Sequence, residues 1–277
     1  IWPLLDQQDG YWPSVRNAGL FAEHVGRLVE RLEARGAAPD WVAFDLEPPF
    51  RPGDGVGSTI LRALGRAVTG GVGDGAFDQA LETYRRLLGE LASRDIATLG
   101  IATPPPVFDL EGDRTLWQRL LETPWSNLPW DRAGFMAYGS MLAGYSAGLL
   151  SVADARAVYY DFCRRMHSYF GRRSHVSVGV TGTGVYGDEP VYTSADELAL
   201  DVSAARAAGI DDIAVFCLEG LLQKEYPRAW VDALADAPPR VPPPTVGAEG
   251  LLLAARMATG LLSTAGGVAI RKDRVGS

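Results

Sequence analysis

Apolar residues at Val15, Phe21, Val25, Leu28, Val29 and Leu32, with charges between them, follow the period of an amphipathic helix over 14–35 that Gly36 ends. The next apolar run, 41–46, switches to the two-residue period of a strand. Beyond it, 51–76 is glycine-rich and polar and reads as a long loop of the kind that shapes a cleft. The two periods then keep alternating. Helices are predicted over 77–94, 115–122, 152–170, 194–208 and 226–235, and strands over 96–103, 133–138, 175–181 and 212–218. Prolines 104–106 stop one strand, and the helix at 194 carries a capping signal, Ser194 with Glu197 three residues on, and is closed by Gly209.

Strands separated by helices pair in parallel through right-handed crossovers. Counting the opening residues Ile1 to Leu5 as a strand gives six, two short of a closed eight-stranded barrel. The expected fold class is therefore α/β, a (β/α)8 TIM barrel lacking its first one or two β/α units, with an open sheet as the alternative. Residues 1–237 form the expected barrel domain, and 238–277 a proline-rich linker and C-terminal appendage.

Composition narrows the function more than the fold. A chain of 277 residues, 47% hydrophobic and 22% charged, can bury the core of one large domain. Its formal charge is −8, and no segment interleaves basic with aromatic residues as a polyanion groove would, which argues against nucleic acid as a partner. Cys163 and Cys217 fall in apolar patterns and read as core residues. His24, His167 and His175 are scattered without metal-ligand spacing, so no metal and no cofactor is assigned. The apolar stretch 250–270 is interrupted by Arg256 and reads as a packed or amphipathic helix, so no membrane span is expected. The chain opens at Ile1 on what reads as a strand already under way. The expectation is that a leader, a membrane anchor or the first barrel units once preceded it, which leaves an extracytoplasmic location open. No oligomeric state is assigned.

The chemistry concentrates in Asp40-Trp41-Val42-Ala43-Phe44-Asp45-Leu46-Glu47-Pro48-Pro49. Alternation puts Ala43, Asp45 and Glu47 on one face and Val42, Phe44 and Leu46 on the other. Acids at the carboxyl end of a strand are where a barrel keeps its reactive groups. Two carboxyls about 7 Å apart along a strand could divide the work of breaking a glycosidic bond, one protonating the leaving oxygen and the other steadying the oxocarbenium-like centre. Glu47 is the candidate acid and Asp45 the assisting carboxylate. Glu219, at the end of the last predicted strand, is a second carboxylate for a conventional two-acid route. Trp2, Trp12, Trp125 and Trp130 are candidates either for stacking on a sugar or for core packing. The glycine-spaced loop 182–189 places Tyr186 and Glu189 as cleft candidates.

In strand order this pattern resembles the family 18 glycoside hydrolases, the chitinase-like barrels, whose fourth strand carries D-x-x-D-x-D-x-E and whose sixth carries M-x-Y. Asp40, Asp45 and Glu47 align with the first, third and last acids, and Met136 and Tyr138 with the second motif. The resemblance implies a barrel that hydrolyses a polysaccharide or glycan containing N-acetylhexosamine, without cofactor. In that mechanism the substrate's acetamido group attacks while Asp45 and Tyr138 hold it. Ala43 replaces the middle acid, and Gly139 stands where the family has an Asp. At the eighth strand, Phe216 and Glu219 occupy the region of the family's sugar-binding tryptophan. Trp2, Met136, Tyr186, Glu189 and Phe216 complete the expected substrate-binding set. Two rival readings accompany this one, a catalytically silent chitinase-like glycan-binding barrel and a barrel glycosidase using Glu47 with Glu219.

Overall fold

The structure, a computed structural model, describes residues 1–49, 65, 74–144, 146, 148–183 and 190–265. In chain order these form α1 (Ala18–Glu33), β1 (Trp41–Leu46), α2 (Asp74–Ala92), β2 (Ala97–Ala102), α3 (Leu116–Leu121), β3 (Arg132–Ala137) and α4 (Gly139–Gly144). They continue with α5 (Val152–Phe170), β4 (Ser174–Gly179), α6 (Ala195–Ala207), β5 (Asp212–Phe216), α7 (Leu218–Leu222), α8 (Pro227–Asp236) and α9 (Val246–Ala265). The fold is α/β, and the five strands lie in one sheet in sequence order. β1 runs parallel to β2 and β4 parallel to β5. Sequence order is how successive right-handed β/α units of a barrel follow one another, whereas a doubly wound sheet reverses once.

The predicted opening strand is not a regular element. Ile1 nevertheless makes two bonds to β1, its amino group donating to the Trp41 carbonyl (2.6 Å) and its carbonyl accepting from the Ala43 N–H (2.8 Å). Most of the predicted loop 51–76 lies outside the described residues.

The chain packs as two compact units, residues 1–133 with 259–277, and residues 134–258. The first is built around aromatic side chains. On β1, Val42, Phe44 and Leu46 are completely buried, and Phe44 meets Phe21 of α1 (ring centroids 5.7 Å) and Trp130 (5.0 Å). Each such side chain contributes about 1.5–3 kcal/mol through burial. Gly100 of β2 is there because of Trp130: a Cβ at Gly100 would lie 2.3 Å from the indole. Asp109 secures the start of α3, accepting from the backbone N–H groups of Trp117 (3.1 Å) and Gln118 (3.0 Å). That is the work of a cap done from outside the helix, since Thr115 at the N-cap makes no side-chain bond.

In the second unit β4 is buried along its whole length. Ser151 and Asp154 form a reciprocal capping box at α5. Ser194 caps α6 by accepting from the Glu197 N–H (3.4 Å), at the two positions that carried the sequence signal.

The residues after the proline-rich stretch form α9. Its segment Val246–Ser263, with mean hydropathy 1.2, is long and apolar enough by length and composition to cross a membrane. Its later residues pack on the first unit, where Trp117 Nε1 donates to Thr259 Oγ1 (2.9 Å) and Leu262 lies against the cluster of Leu116, Leu120 and Leu121.

Candidate active site

β1 positions Asp45 in register with Ile101 of β2. Because Phe44 faces α1, alternation turns Ala43 and Asp45 to the opposite face of the sheet. Asp45 is 5% exposed. Its Oδ1 has no hydrogen-bond partner among the described residues, and its carboxyl accepts a hydrogen bond from the Trp12 side chain. Burial raises the Asp45 pKa from 3.8 to about 7, and the Trp12 bond opposes that rise. A carboxyl raised toward neutrality by burial is of the kind that general acid–base chemistry uses.

Glu47 follows the end of β1 and is half-buried, with Pro48 and Pro49 after it. The prolines supply no N–H to extend the strand. Trp2 is 47% exposed. Trp12, Trp125 and Trp130 are buried. Trp125 Nε1 donates to the Gly100 carbonyl (3.1 Å) and Trp130 Nε1 to the Trp125 carbonyl (2.9 Å), so this pair belongs to the core.

The remaining candidates lie in the second unit. Met136 is half-buried near the end of β3, and Tyr138 follows that strand directly. The Tyr138 ring stands 5.9 Å from that of Phe216, the last residue of β5. A Cβ at Gly179 would lie 3.1 Å from the Tyr138 ring. Ser140 ties the neighbouring backbone down, its hydroxyl donating to the Gly179 carbonyl (3.2 Å) and accepting from the Val180 N–H (3.1 Å). Glu219 does not close a strand: β5 ends at Phe216, Cys217 caps α7, and Glu219 sits exposed in the first turn of that helix. Tyr186 and Glu189 lie outside the described residues. Within the first unit the structure groups Asp45 and Glu47 at one strand end. Within the second it groups Tyr138 with Phe216.

Two features escaped the sequence reading. Asn17 organises the loop before α1. Its Oδ1 accepts from the Ser14 N–H (2.9 Å) and hydroxyl (3.1 Å), and its Nδ2 donates to the carbonyls of Asp9 (3.0 Å) and Trp12 (2.8 Å). The periodicity carries the predicted helix back to Ser14, which hides this role; the Ser14/Asn17 spacing beside a turn glycine is the available signal. The other is Asp201, buried in the middle of α6 and held by Arg156 Nε (2.8 Å) and the Tyr192 hydroxyl (2.5 Å). Its Oδ2 lies 2.5 Å from where a Cβ of Gly139 would stand.

No protein-family model matches the chain, and no curated protein matches it. Among solved structures, it is similar to the glycoside hydrolase domain of PgaB (BpsB) from Bordetella bronchiseptica, with 12% identity and a TM-score of 0.44. The match covers 79% of this chain and 62% of that one, so the chain spans about three-fifths of its length. It is also similar to the endo-1,4-beta-xylanase XylE of Penicillium canescens, with 12% identity, a TM-score of 0.35 and coverage of 87% and 74%. At this distance the likenesses carry no residue assignments, and the function proposed next rests on the chain's own side chains.

Proposed function

We propose that the protein is a glycoside hydrolase of (β/α)8-barrel type, related to family 18, acting on a glycan that contains N-acetylhexosamine. The observation that carries this reading is Asp45, a buried carboxyl raised toward a pKa of about 7, with one oxygen unpartnered among the described residues, two residues before Glu47 at the carboxyl end of a parallel strand. Burying a carboxyl with an oxygen left unpaired costs stability, and such arrangements gather at sites of chemistry.

In the reaction, Glu47 gives its proton to the leaving oxygen as the glycosidic C–O bond breaks. The oxocarbenium-like carbon is met by the substrate's own acetamido oxygen, which Asp45 orients through the acetamido N–H. Water then opens the cyclic intermediate and returns a proton to Glu47. The test is hydrolysis of N-acetylglucosamine oligomers. Glu47→Gln keeps the shape and lacks the proton, so the rate should fall about 100- to 10,000-fold. Cleavage at the parent rate would remove Glu47 from the mechanism, and binding without cleavage by the parent would favour a silent glycan-binding protein. Substrate assistance further expects Tyr138→Phe to weaken binding of a thiazoline mimic of the cyclised intermediate. The two-carboxylate alternative instead expects Glu219→Gln to be the damaging change.

A further inference from the structure

The first unit contains a cavity of about 510 Å³ that none of these assignments uses, bordered by Gln8, Asp9, Arg16, Asn17, Leu20 and Pro49. Its size falls within the roughly 300–1,000 Å³ range of small-molecule sites. Three observations mark it as part of the same working region as Asp45 and Glu47.

First, Pro49 stands two residues beyond Glu47, at most about 7 Å of extended chain away, so the cavity begins where the acid-bearing segment ends. Second, the part of the lining around Asn17 is pre-formed. Asn17 binds the carbonyls of Asp9 and Trp12 and the backbone and hydroxyl of Ser14. Gly10 has φ +98° with Asn17 Nδ2 only 2.8 Å from where a Cβ would stand, and Tyr11 adopts φ +62°. A tyrosine held in the left-handed region is a strained feature of the kind that persists at functional sites. Third, the same loop supplies Trp12, whose side chain bonds the Asp45 carboxyl. The cavity wall and the buried acid are thus linked through one residue.

The lining states what kind of ligand fits. Gln8 both donates and accepts, Asp9 accepts, and Leu20 and Pro49 add small apolar surfaces. The N-cap Asn17 spends its side chain on the loop rather than on a capping bond, which leaves first-turn N–H groups of α1 without an intrahelical acceptor. Arg16 is already neutralised by Glu122, its Nη2 donating to Oε1 (2.9 Å) beside a second bond from Nε to Oε2. With that charge spent and the Asp9 carboxylate at the wall, an anionic ligand is disfavoured. A mixture of donors, acceptors and short apolar faces, with one carboxylate able to accept from hydroxyls, suits the hydroxyls and C–H faces of an uncharged sugar.

We propose that this cavity is a neutral-sugar subsite, receiving a unit of the glycan adjacent to the one at Asp45 and Glu47. The proposal rests on the reading of those two acids as glycan-cleaving. It is tested by calorimetric titration of Glu47→Gln protein with β-1,4-linked N-acetylglucosamine oligomers of two to six units, alone and carrying Gln8→Ala with Asp9→Ala. Both substituted side chains are exposed, so the fold should survive; circular dichroism checks this. Affinity should rise with oligomer length, and the added substitutions should cost about tenfold on the longer oligomers while leaving the shortest one bound unchanged. The same length dependence with and without the two substitutions overturns the subsite and leaves the hydrolase reading intact. Failure to bind any oligomer, together with failure of the parent to cleave one, overturns both.

Discussion

Asp45 in the first unit and Asp201 in the second are both buried, and burial raises the pKa of each. Their surroundings differ. Asp201 has a partner for each oxygen, Arg156 Nε on Oδ1 and the Tyr192 hydroxyl on Oδ2, and both pull its pKa back down. Among the described residues, Asp45 has the Trp12 bond and its Oδ1 has no partner. A buried carboxylate with complete partners is a structural bolt, and Gly139 is a glycine because that bolt fills the space beside it. A buried carboxyl left incomplete costs stability; under the proposed function a substrate group would complete it. Two acids that burial treats alike thus differ in how many of their oxygens are matched among the described residues.

The largest expected effect breaks the complete member of this pair. Arg156→Met leaves Asp201 buried beside Tyr192 alone, and the loss should be about 3–5 kcal/mol of folding stability, measured by urea unfolding at pH 7. A loss below about 1 kcal/mol would mean the pair behaves as a surface contact.

The next effect is a pH dependence belonging to Asp45. Its folded pKa of about 7 exceeds the ordinary 3.8, so the native state keeps its proton where the unfolded chain releases it. This contribution to stability is fully present below about pH 4 and is lost as the pH rises through about 7, on the order of 4 kcal/mol in all. Asp45→Asn cannot ionise, so it should be more stable than the parent at pH 8 and no more stable at pH 3.5. Asp109, whose pKa burial raises to about 6, adds a similar slope to both proteins and cancels in the difference. Parallel pH curves for the two proteins would show that Asp45 is already ionised in the native state.

The smallest effect sharpens the comparison. Tyr192→Phe removes one of the two partners of Asp201 and should cost about 1–3 kcal/mol. If it costs as much as Arg156→Met, the hydroxyl rather than the ion pair holds the carboxylate.

Much of the secondary structure was legible in the residue pattern. Strand 41–46 and helix 152–170 match their elements end to end, because strong periodicity there coincides with clear boundaries, Pro-Pro after the strand and Gly171 after the helix. The residue pattern extends the last strand to 218, two residues past its end at Phe216, since an apolar Cys217-Leu218 continues the pattern while the backbone has already turned into α7. That is why Glu219 reads as a strand-end acid but sits in the first turn of a helix. Trp125 and Trp130 could be read as sugar platforms or as core; their hydrogen bonds to backbone carbonyls inside the first unit show that they are core.

The sequence by itself determined the alternation of strands and helices and the placing of two carboxyls at the end of β1, because both follow from local periodicity and from prolines that cannot continue a ladder. Only the tertiary structure decided which acids are unusual. The raised pKa of Asp45 and the matched oxygens of Asp201 depend on groups distant in sequence: Trp12 and Asp45 are brought together by the fold, as are Arg156 and Asp201. A carboxyl's proton affinity is set by the solvent it loses and the donors it gains, and a one-dimensional pattern reports neither.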